Sequence, residues 1–163
     1  MLRFSANLSM LFGEYDFLAR FEKAAQCGFR GVEFMFPYDY DIEELKQVLA
    51  SNKLEHTLHN LPAGDWAAGE RGLAAVPGRE AEFMDGLERA LTYAEALGVN
   101  KLHVMAGVLA DDSGASFQGA LHGHVGAPGD ELEVLGVGGR GTAEVTRLLD
   151  HDLLSADLVR ELL

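Results

Sequence analysis

The sequence is poor in three things, and each shortage narrows what it can do. It has one cysteine, Cys27, in 163 residues. An internal disulfide is then impossible, which fits a reducing, cytoplasmic compartment, and Cys27 reads as a buried thiol at a helix end. Basic residues are scarce, with 13 Lys and Arg against 26 Asp and Glu and a net charge of −13. No Lys/Arg cluster exists to neutralise phosphates, so nucleic acid and anionic membrane surfaces are disfavoured as partners. A small anionic ligand is still allowed, because a few local donors outweigh a distant net charge. Long hydrophobic runs are also missing. Nothing approaches the roughly 18–20 apolar residues of a membrane span. The apolar start MLRFSANLSMLFGEYD is broken by Asn7, Ser9 and Glu14, and reads as a short strand rather than a signal peptide.

What is present is enough for one domain with a real core, since 48% of the residues are hydrophobic. Four strand-then-helix units are legible over residues 1–110. Leu2–Leu8 is strand-like. Phe17–Gln26 has Phe17, Leu18, Phe21, Ala24 and Ala25 at helical spacing, with Gly28 ending it. Gly31–Phe36 is a second strand, closed by Pro37. Asp41 is the expected N-cap of a helix over Ile42–Ala50, with Glu43 and Glu44 in its first turn. Leu54–His59 is a third strand, Glu80–Leu97 a third helix, and Lys101–Ala106 a fourth strand. A weak repeat runs through these units: Gly28 precedes Glu33 by the same spacing as Gly98 precedes His103. Alternation of this kind predicts parallel βαβ units. Residues 111–163 differ in character. They comprise a Gly-rich junction, a short strand over Glu131–Leu135, and a helix over Thr142–Leu163 that breaks near Ser155.

Asn60 to Arg79 reads as one loop, NLPAGDWAAGERGLAAVPGR, between the third strand and the third helix. Loops beyond about 12–15 residues are uncommon and usually functional. PAGD at 62–65, GERGL at 69–73 and VPGR at 76–79 resemble the hydroxypyruvate isomerase family, which includes 2-oxo-tetronate isomerases and is similar to the xylose isomerase-like barrels. RFSANLS at 3–9, GVEFMFPY at 31–38 and HVMAG at 103–107 carry the same resemblance, which stops at about Asp112. It implies an α/β fold, the N-terminal half of a (β/α)₈ TIM barrel. It implies an activity that interconverts hydroxypyruvate and tartronate semialdehyde. It also implies a divalent metal in many full-length relatives, although no cofactor is certain for this chain.

In such a barrel the C-terminal ends of the strands face the site. The matching positions are Asn7, Glu33, His59, Asn60 and His103, a set of donors and acceptors suited to the hydroxyls and carbonyl of a small 2-keto acid. Arg71 and Arg79 are the expected carboxylate anchors, because guanidinium offers a bidentate fork. Trp66 is placed either to shield the site or to anchor the loop. The proton-transfer glutamates that the resemblance implies lie in second-half motifs that have no match here. Glu131 and Glu133, in DELEVLGV, do not match them, so no catalytic residue is assigned.

Two further motifs carry less. His122 and His124 have a His-x-His spacing without a third ligand, and read as part of an exposed loop. GVGGRG, through Gly136, Gly138 and Gly141, satisfies G-x-G-x-x-G after a strand-like run. No second strand follows to supply a ribose-binding acid, so a tight turn is the expected role and a dinucleotide-binding fragment the remote one. The chain thus reads as an isomerase-like half-barrel without turnover of its own, or alternatively as a non-catalytic binding or assembly module. Two unpaired sheet edges predict a homo-oligomer.

Overall fold

The computed structural model describes residues 3–108 and 133–137. Eight elements occur in the order β1 (Ser5–Asn7), α1 (Phe17–Gln26), β2 (Gly31–Phe34), α2 (Ile42–Asn52), β3 (Glu55–Asn60), α3 (Glu80–Leu97), β4 (Lys101–Met105) and β5 (Glu133–Val137). The strands form one sheet in the sequential order β1-β2-β3-β4-β5, and every pairing is parallel.

The helices form where the residues specify them. The Asp41 carboxylate accepts from the Glu43 and Glu44 N–H groups, as an N-cap should, and α2 runs two residues beyond expectation to Lys53 in the left-handed region. Helix α1 has the expected bounds and ends at Cys27, followed by Gly28 at φ +86°. Helix α3 ends at Gly98 at φ +67°. In both places glycine supplies the conformation that reverses the chain into the next strand. Cys27 corrects the sequence reading: it is exposed, because it lies at the cap rather than on the apolar face of α1.

Both apolar clusters lie between the sheet and the helices. One joins Ala6, Leu8, Val32 and Phe34 to Phe21, Ala24, Leu45 and Leu49. The other joins Leu102 and Val104 to Phe83, Leu87, Ala90 and Ala94. Period-two alternation in β1, β2 and β4 therefore leaves a second face carrying Asn7, Glu33 and His103. No described helix is long and apolar enough to cross a membrane.

Strand β5 lies two residues later than its sequence signal. Gly136 is inside it, opposite Val104, rather than opening a turn. Gly138, Gly141, Glu131, His122, His124 and the helix expected over 142–163 lie outside the described residues.

Candidate functional site at the strand ends

The inner face of the sheet brings four of the expected residues together. Asn7 and Glu33 are register partners, and Asn60 and His103 are register partners. The Asn7 amide is fixed at both ends: its oxygen accepts from the Ser9 N–H at 3.0 Å, and its Nδ2 donates to Glu33 Oε1 at 3.0 Å. Glu33 Oε2 has no hydrogen-bond partner among the described residues. Asn60 is buried, and its backbone spans its neighbours, the Asn60 N–H donating to Met35 O at 2.9 Å and Leu61 N–H to His103 O at 3.0 Å. Tyr38, which the sequence reading did not select, donates its hydroxyl to Asn60 O at 2.5 Å. Burial holds the His103 imidazole below its ordinary value, while the Glu33 carboxylate pulls it the other way. Its ring forms no hydrogen bond with the described residues.

His59 is not part of this group. Its side chain is fully buried on the helix side, with Nε2 3.2 Å from Ala90 O. The cause is an irregularity in the β2–β3 register, where Val32 pairs with His56 but Glu33 pairs with Leu58. The extra residue, Thr57, shifts the alternation, so His56 and His59 both face the helices and Asn60 faces inward. Thr57 Oγ1 meets Ser5 Oγ at 2.8 Å on the inner side.

The chain leaving β3 crosses the strand ends and returns to β4. Gly72 bridges to Ala106, and the Ala75 N–H donates to Ala106 O at 2.7 Å. Trp66 meets Phe36 edge-on at 5.2 Å, and the Arg71 guanidinium lies 3.9 Å from the Trp66 ring centroid. Arg71 Nη1 donates to the Trp66 and Glu70 carbonyls. Its Nε and Nη2 groups have no partner among the described residues. Arg79 is differently placed. It donates to Glu70 through Nη1 and Nη2, and to Glu82 through Nε and Nη2. Glu82 and Glu70 together raise its pKa, and Arg79 in turn lowers theirs. The two expected anchors are thus unequal: one is committed to carboxylates of its own chain and the other has donors to offer.

Among the described residues no group of three or more His, Cys, Asp or Glu side chains is placed to hold a metal ion. Glu33 and His103 are two ligand types where a site would need more. The described residues by themselves therefore do not fit a resident metal.

Comparison with known proteins gives one answer. The chain is 82% identical over 107 residues to a hydroxypyruvate isomerase of Escherichia coli K12, covering 66% of this chain and 42% of that protein. It is 54% identical over 113 residues to a 2-oxo-tetronate isomerase of Cupriavidus necator, covering 69% and 44% respectively. It resembles the crystal structure of an AP endonuclease of family 2 from Brucella melitensis, with a TM-score of 0.65 and 54% identity over 66% of this chain and 42% of that one. The chain thus spans less than half the length of these relatives, and what it matches is their N-terminal half. Its parallel strands alternating with helices are those of a half-barrel. The model of the family described as xylose isomerase-like TIM barrel matches residues 21–123, and the chain belongs to that family.

Proposed function

We propose that the inner face carries the N-terminal half of a hydroxypyruvate isomerase-type site, working in the cytoplasm on a small 2-keto acid, and that the 163-residue chain alone does not turn that substrate over. The observation behind this reading is the convergence of Asn7, Glu33, Asn60 and His103 on one face beneath the 61–79 loop. Glu33, held by Asn7 through one oxygen, offers the other to a ligand hydroxyl. A His103 that stays neutral near pH 7 serves as donor or acceptor to the second oxygen of an α-hydroxy ketone. Arg71 supplies free N–H groups for a carboxylate.

Isomerisation of hydroxypyruvate moves a proton between adjacent carbons and needs a base poised near the substrate carbon and an electrophile on the oxygens. The resemblance places the proton-transfer carboxylates in second-half motifs, which residues 111–163 do not match. The name of the Brucella relative suggests nucleic acid as a substrate, but a net charge of −13 opposes phosphate binding on that scale.

Calorimetry with hydroxypyruvate tests the reading. Weak binding heat is expected for the unaltered chain, reduced in both Glu33→Gln and His103→Ala, with no tartronate semialdehyde formed. Equal heats in all three proteins would remove the site, and turnover by the unaltered chain would show that it is catalytically complete.

A further inference from the structure

We propose that Glu70 and Arg79 form a latch that positions Trp66 and Arg71, and that Arg71 alone of the two arginines meets the ligand's carboxylate. Glu70 receives three contacts. The Asp65 N–H donates to Oε2 at 2.5 Å, Arg79 Nη1 lies 2.8 Å from Oε1, and Arg79 Nη2 lies 3.3 Å from Oε2. Its carboxylate also fills the space beside Gly64, where a Cβ would sit 2.0 Å from Oε2. The carboxylate therefore ties the beginning of the loop, at 64–65, to its end at 79.

Arg79 extends the tie to the helix. Its two contacts with Glu82, at 2.6 and 2.8 Å, fasten the loop to the first turn of α3. An isolated exposed ion pair holds little, but this one is bidentate, shared between two carboxylates, and only about one-third exposed on each side of the Glu70 pair (32% and 33%). Trp66 and Arg71 lie between the tied ends. Trp66 reaches Phe36, two residues beyond β2, and the guanidinium stacks on its ring with its Nε and Nη2 groups unpartnered among the described residues.

A guanidinium already engaged by two carboxylates is a poor receptor for a third, so Arg79 is a positioning residue. Arg71, turned to its own backbone through Nη1 only, keeps the fork that a carboxylate needs. This assignment to Arg71 rests on the 2-keto acid reading; the latch does not.

Trp66 is the one tryptophan of the chain, so its fluorescence reports the loop directly. Arg79→Lys and Glu70→Gln are expected to keep the far-UV circular dichroism of the unaltered chain. Both should shift Trp66 emission to the red and raise acrylamide quenching roughly twofold, as local opening exposes more of a ring that is 38% exposed in the latched loop. Hydroxypyruvate should bind roughly threefold to tenfold more weakly to either variant, the scale of one ordinary hydrogen bond. It should not bind measurably to Arg71→Ala. Should Glu70→Gln fail to fold, Glu82→Gln loosens only the helix-side arm and should give a smaller shift of the same sign. Unchanged emission and quenching in Arg79→Lys and Glu70→Gln would overturn the latch. Loss of ligand in Arg79→Lys with Trp66 unmoved would make Arg79 the anchor and overturn the assignment. If the unaltered chain binds no hydroxypyruvate while Trp66 moves in the variants, the latch stands and the anchor role falls with the site.

Discussion

His56 stacks on Phe34 at 4.2 Å and on His59 at 5.2 Å, inside the layer between sheet and helices. Each ring has Nε2 at hydrogen-bond distance from a carbonyl, Leu58 O or Ala90 O, which makes Nε2 the protonated nitrogen. Each Nδ1 is buried with no partner among the described residues. A second proton would place a charge where nothing receives it. Burial therefore pushes His56 down to about 3, with His59 adding to the effect, and pushes His59 down to about 4. Both values lie below the ordinary 6.5, so the folded state excludes protons that the unfolded chain binds. The stability from this is fully present above pH 6.5 and is lost as pH falls toward 4 and then 3. The expected slope is about 1 kcal/mol per pH unit for each histidine below pH 6.5. Urea melts at pH 7, 6 and 5 read this slope before the carboxylates titrate. His59→Gln should roughly halve it, leaving the share of His56, and an unaltered chain equally stable at pH 7 and 5 would show that the buried rings are hydrated or paired. Glu33 and His103 could be placed on a strand from the sequence because each interrupts an apolar run five residues after a helix-ending glycine, and Asn60 because it follows the third strand-like run. His59 was misplaced because the register irregularity has no local signature: Thr57 is an ordinary strand residue. Glu70 was overlooked because its partners, Asp65 and Arg79, are set by loop geometry rather than by spacing.

Among the elements, the helices were the most legible, since apolar periodicity and caps act locally. Asp41 illustrates this: one carboxylate oxygen serves the Glu43 N–H at 2.9 Å and the Glu44 N–H at 3.3 Å. Asp41→Ala should lower stability by about 1 kcal/mol, measured by urea melts, with α2 otherwise intact. Strand ends were less legible, because pairing partners decide where a ladder stops. The expected strand over Gly31–Phe36 stops at Phe34, and β5 begins two residues late. The crossing loop depends on glycine where it meets β4. Gly72 has φ +114°, and a Cβ there would lie 2.0 Å from the Met105 carbonyl oxygen. Backbone must move to admit it, so Gly72→Ala should destabilise by about 2 kcal/mol or more. By contrast, Gly69→Ala meets no atom within 4 Å, and bears only the strain of φ +96°. A Gly72→Ala chain as stable as Gly69→Ala in the same melts would mean that the loop is not seated on β4.

At the scale of the whole molecule, the described helices cover one face of an all-parallel sheet, and such sheets ordinarily have both faces covered. The inner face carries Asn7, Glu33, Thr57, Leu58, His103 and Met105, all half-buried, together with buried Asn60. Strand β1 stands at the end of the sheet order, beside a 70% exposed Phe4. An edge with no further strand beside it among the described residues, next to an exposed aromatic ring, invites pairing with another chain. We propose that a second copy meets this edge, giving a two-fold assembly in which two half-barrels shelter one another's inner faces. Charge opposes it, because each copy brings −13. Salt should then strengthen association, since screening shortens from about 10 Å at 0.1 M to about 3 Å at 1 M. Light scattering across the micromolar range should show a concentration-dependent dimer that grows with sodium chloride. Phe4→Lys should weaken it at high salt, where the charge change matters least and the lost apolar contact and protected edge matter most. A strict monomer at every concentration and salt would mean that the inner face is covered within one chain. A dimer that Phe4→Lys leaves unchanged would place the contact away from β1.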